Sequence, residues 1–95
     1  MNLERFRASL ADDAPPTVSP ALEGLWRAAK GDWEAAHGLA QGQDDAMGAW
    51  VHAHLHRIEG DEANAGYWYR RAGKPHCRLP LEDEWAEIAG ALLAP

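Results

Sequence analysis

WVHAHLHRIEGDEANAGYWYRRAGKP, residues 50–75, reads as one helical hairpin, and the rest of the chain is arranged around it. Apolar residues Met47, Trp50, Val51, Leu55 and Ile58 recur at i, i+3, i+4, i+8 and i+11, one face of a 3.6-residue helix and no face of a strand. The spacing predicts a helix over about residues 45–59. Gly60 can take the left-handed conformation that closes it, and Asp61 can accept a hydrogen bond from the free N–H groups opening the next helix. In that second helix Ala65, Trp68, Tyr69 and Ala72 share a face, and Gly73 with Pro75 gives the stop signal. A connection this short makes the two helices pack antiparallel.

Upstream, Leu3, Phe6 and Leu10 mark a short amphipathic helix, and the three prolines of DDAPPTVSP make residues 12–20 a linker. Ser19 then Pro20 reads as an N-cap followed by proline at the first helical position, with Leu22, Leu25, Trp26 and Ala29 on the apolar face behind it. GDWEAA at residues 31–36 matches GDEANA at residues 60–65 in Gly, Asp and the final Ala, an offset of 29 residues with an amphipathic helix before each copy. The first hairpin therefore has a short second arm, with Trp33, Ala36 and Ala40 inward, closed by QGQDD before Asp44 or Asp45 caps the next helix. Pro80 starts a last helix with Leu81, Trp85, Ile88 and Leu92 inward. Glu82, Asp83 and Glu84 fall in its first turn, where the helix dipole favours acids.

These segments predict an all-α single domain of about five helices: an N-terminal helix and linker (1–19), hairpin one (20–43), hairpin two (44–75), then a loop and C-terminal helix (76–95). Gly60, Asp61, Ala65, Tyr69 and Ala72 resemble the second helix of a tetratricopeptide unit, and Gly24 lies where such units often carry a small residue. The offset of 29 is shorter than the ~34 typical of that family. The resemblance implies tandem hairpins that bind segments of other proteins. The runs AWVHAHLHRIEGD and YWYRRAGKP also resemble a group of short bacterial proteins with no assigned activity, which implies no mechanism.

Ninety-five residues, 46% hydrophobic and 25% charged, with five tryptophans, suit one packed core. The single cysteine, Cys77, fits a reducing cytoplasm, and no run approaches the ~18 apolar residues of a membrane span. A net charge of −6 argues against nucleic-acid binding. That charge is uneven: residues 46–80 hold five basic residues against three acids, and four of the five histidines.

His52, His54 and His56 invite a metal reading, since two histidines at i, i+4 can chelate one ion. His54 falls inside the apolar arc. Folding should desolvate its ring and disfavour the charged form, which a nearby carboxylate would oppose. His52 and His56 project to the other side, where solvent is expected. Ala53 stands where an HExxH motif needs its glutamate, so no metal and no cofactor is expected; only His37, His76 or Cys77 brought in by folding could complete a site. Cys77 beside His76 lacks the alignment a nucleophile requires. Tyr67, Arg70 and Arg71 point away from the inward face of their helix and, with His52, His56 and Arg57, form the candidate binding set. The expected function is a protein-interaction module with a protein partner or a second copy of itself. The alternative is a small-anion binder or an enzyme using the His and Arg residues of hairpin two.

Overall fold

The computed structural model describes residues 1–94 and is all-helical: α1 (Leu3–Ala8), running into a 3-10 turn (Ser9–Ala11), α2 (Pro20–Ala29), α3 (Trp33–Gly42), α4 (Ala46–Ile58), α5 (Glu62–Ala72) and α6 (Leu81–Leu93). Among the described residues six α-helices are present where about five were expected. The second arm of hairpin one, α3, is not short: Asp32 caps it and it runs ten residues, as long as α2.

Side-chain oxygens close the starts of α2, α3, α4 and α5, whereas α6 opens behind Pro80 with no side-chain cap. Ser19 accepts from the Leu22 N–H (3.3 Å), and Pro20 follows it at the first helical position. Asp45, not Asp44, accepts from the Gly48 N–H (2.9 Å). The repeated Gly-Asp pair is a repeated hinge. Gly31 and Gly60 have φ of 85° and 83°, and Asp32 (φ −102°, ψ 77°) and Asp61 (φ −93°, ψ 81°) follow them in matching conformation. The Asp32 N–H donates to the Arg27 carbonyl and the Asp61 N–H to the His56 carbonyl, each at 2.9 Å, closing the old helix in the Schellman pattern. Their carboxylates then open the new helix by accepting from Ala35 N–H and Asn64 N–H, each at 3.1 Å. A Cβ on Gly60 would meet nothing within 4 Å, so only the backbone resists substitution. Gly60→Val should destabilise the protein by about 1 kcal/mol or more through the left-handed torsion alone. Thermal denaturation checks this, and an unchanged melting temperature would remove the hinge role.

The hairpins α2/α3 and α4/α5 make the two largest helix contacts, and α4 also packs on α2, α3 and α6. Small residues permit the close approach: Gly24 is buried, and a Cβ there would lie 3.2 Å from the Ala36 carbonyl oxygen. Phe6, Leu25, Trp26, Val51, Leu55, Tyr69 and Ile88 fill the core. Indoles find acceptors, the buried Trp85 donating from Nε1 to the Leu25 carbonyl (2.8 Å) and the half-buried Trp33 from Nε1 to the Leu55 carbonyl (2.7 Å). Met47, Ile58 and Leu81, placed on inward faces by period, are exposed. Each sits in the first or last turn of its helix. Among the described residues no helix is long and apolar enough to cross a membrane.

Candidate functional site

The stretch of α4 between its cap, Asp45, and Arg57 carries no charged side chain, and Gly48 through His56 are all buried. His52 and His56 are therefore not solvated, as their helical phase had suggested. The side of α4 opposite the Val51–Leu55 arc is covered by α3 and α5, which lay aromatic rings on it. Trp68 stacks on His52 at 3.8 Å between centroids, His52 on His56 at 4.9 Å, and His37 meets both edge-on at 4.5 and 5.5 Å while stacking on Trp33 at 4.8 Å.

Folding thus supplies His37 to the His52/His56 pair. Nε2 of His37 and Nε2 of His52 are 2.9 Å apart, so one ring donates and the other accepts. Nδ1 of His56 lies 2.6 Å from Glu59 Oε1 and donates to it, since an ionised carboxylate only accepts. Burial foremost, then the neighbouring rings, lowers the His52 pKa to about 4; burial and His56 lower that of His37. Both are neutral imidazoles at pH 7. Nδ1 of His52 is a buried nitrogen with no hydrogen-bond partner.

On the other side of α4, His54 makes a different connection. Its Nδ1 donates to Glu84 Oε1 at 2.7 Å, Arg57 Nη1 donates to the same oxygen at 2.8 Å, and the Tyr69 hydroxyl donates to Glu84 Oε2. Glu84 is wholly buried, so it is not the solvated first-turn acid that its position suggested; only Glu82 and Asp83 are. Burial alone would raise its carboxyl, but hydrogen bonds from His54, Tyr69 and Arg57 outweigh burial and hold the pKa down to about 2. Burial first, then the bond to Glu84, raises the Tyr69 hydroxyl, so it stays a donor. Burial works against the Arg57 charge, and Glu84 more than restores it.

The candidate binding set is accordingly divided. His52 and His56 are brought together in the interior. Arg57 is tied to Glu84 and, through Nη2, to the Leu79 carbonyl (2.6 Å). Tyr67, Arg70 and Arg71 remain exposed on α5, where Arg71 donates to the Tyr67 hydroxyl (3.2 Å) and lies over the Trp68 ring. Cys77 is half-buried with its thiol pushed up by burial, the opposite of an activated nucleophile.

Two cavities flank these groups. An apolar groove of about 530 Å³ runs between the N-terminal segment and α6, walled by Leu10, Ala28, Ala29, Trp85 and Ala86, with His54, Ile58, Leu81, Arg7, Glu82 and Asp83 completing it. A smaller cavity of about 230 Å³ is lined by His52, Trp68, Arg71, Asp44 and Asp45 among others. No protein family, curated protein or solved structure matches this chain.

Proposed function

We propose that the protein is a small helical-repeat interaction module that takes a segment of a partner protein in the groove between its N-terminal helix and α6. The observation that supports this most is the groove with its exposed apolar rim: Ile58 and Leu81 each retain 39% of their surface to solvent beside an apolar floor. Apolar side chains of that size gathered at a groove mark a contact surface. Glu82 and Asp83 on one wall outnumber Arg7 on the other, so the fitting segment carries an apolar anchor next to a lysine or arginine. A second copy of this chain, itself at −6, fits that charge less well than a basic partner. The tetratricopeptide-like character expected from sequence belongs to the same reading and draws support from the two matching Gly-Asp hinges.

The small-anion or enzymatic alternative has less behind it. His52 and His56 are buried, Arg57 is committed to Glu84, and the cavity that Arg71 lines also contains Asp44 and Asp45, which repel anions. Selection of random displayed peptides on the immobilised protein tests the groove. Enriched peptides should share an apolar residue beside a basic one and should bind Ile58→Glu and Leu81→Glu variants at least about tenfold more weakly, a loss of ~1.4 kcal/mol, at unchanged melting temperature. No enrichment, or equal binding to the variants, rejects the groove.

A further inference from the structure

The three-histidine cluster does not take part in the groove and calls for its own explanation. Two of its members come from successive turns of α4 and one from α3, and one donor nitrogen from each lies within 4.8 Å of the others. Donors around a tetrahedral zinc ion, at Zn–N of ~2.0–2.1 Å, stand about 3.3 Å from one another. The 2.9 Å between His37 Nε2 and His52 Nε2 needs only a slight opening to reach that spacing.

We propose that His37, His52 and His56 form a binding site for one zinc-class divalent ion, with the fourth position left to water or an exogenous ligand. Three imidazole nitrogens suit such a borderline ion better than magnesium or calcium, which seek oxygen. Glu59 supports the site from outside: it takes the Nδ1 hydrogen of His56, leaving Nε2 as the free donor and fixing the ring, as carboxylates do behind metal-bound histidines. Trp33 and Trp68 stack on His37 and His52 and hold their planes. The cavity that His52 lines contains Asp44 and Asp45, which draw a cation toward the ring.

Tag-free protein titrated calorimetrically with zinc chloride should bind one equivalent, and zinc should raise the melting temperature. Zinc should perturb the imidazole NMR signals of His37, His52 and His56 and leave those of His76 unchanged. His37→Phe keeps a ring against Trp33 and removes one donor, so it should abolish stoichiometric binding, while Glu59→Gln should weaken binding about tenfold or more. A neighbouring set, His56 with Glu59 and Asp61, also has donor atoms within 4.8 Å of one another, and Asp61→Asn, which keeps the helix cap, separates the two. Zinc binding that survives His37→Phe, or that Asp61→Asn removes, overturns the proposal, as does wild-type protein that takes up no zinc. Should His37→Phe fail to fold, the wild-type NMR titration decides alone: perturbation that skips His37 overturns the site.

Discussion

Glu84→Ala should destabilise the protein by about 3–5 kcal/mol, a large share of the ~5–15 kcal/mol available to a domain of this size. The substitution leaves Arg57 without its carboxylate and strips the only buried acceptor from His54 Nδ1 and the Tyr69 hydroxyl. Glu84→Gln, of the same shape, should cost less and carry the sharper signature. With the folded pKa at about 2 and the ordinary value at 4.5, the native state binds the proton more weakly than the unfolded chain. The stabilisation is complete above the unfolded value and is lost as pH falls through the folded one. Across that window the unfolding free energy should drop by about 3 kcal/mol, at ~1.4 kcal/mol per unit. Urea denaturation from neutral pH down to about pH 2 should show this slope in the wild type and a flatter line in Glu84→Gln. Equal slopes would mean that Glu84 does not carry the acid sensitivity.

Gly48→Ala should be destabilising by about 2 kcal/mol or more, against the ordinary trend in which alanine improves on glycine inside a helix by about 1 kcal/mol. A Cβ at position 48 would stand 1.9 Å from the Gln43 carbonyl oxygen and 2.9 Å from that of Ala40. Both are backbone atoms at the end of α3, and Gln43 cannot swing aside freely, since its Oε1 accepts from the Ala21 N–H (2.8 Å) and its amide donates to Asp45. The loop, the start of α2 and the cap of α4 would be disturbed together. Gly38 in α3 and Gly90 in α6 have nothing within 4 Å of a Cβ, so Gly38→Ala and Gly90→Ala should be neutral or stabilising. Melting temperatures of the three variants, compared directly, check the contrast.

What the sequence made legible was local. The Ser19-Pro20 start, the Asp61 cap and the two Gly-Asp hinges depend on residues at most a few positions apart, and each was readable as a short string, whereas the cap of α4 was narrowed only to Asp44 or Asp45. The candidate sites depend on contacts across the chain. Glu84 meets His54 from 30 positions away, and in its own turn it looks like any other first-turn acid. His52 and His56 were assigned to solvent because helical phase reveals one apolar face, whereas α4 is enclosed on several sides and its second cover is aromatic and imidazole in character. A signal was present: from Ala46 to His56 there is no charged residue, which fits a helix without a solvent face better than an amphipathic one. The apolar rim of the groove was hidden for the converse reason, because Ile58 and Leu81 keep the helical period while lying in terminal turns beyond the cover of a neighbouring helix.

The position of α4 among α2, α3, α5 and α6 also governs how the molecule opens. In a longer array of helical pairs, an end pair can detach while its neighbours stay folded, so amide protons there trade with solvent through partial opening. Here both pairs and the C-terminal helix share one central element, and none of them can leave without uncovering it. The slowest-exchanging amides should therefore lie between Val51 and Leu55, with protection equal to the whole-molecule unfolding free energy, while α1 exchanges far sooner.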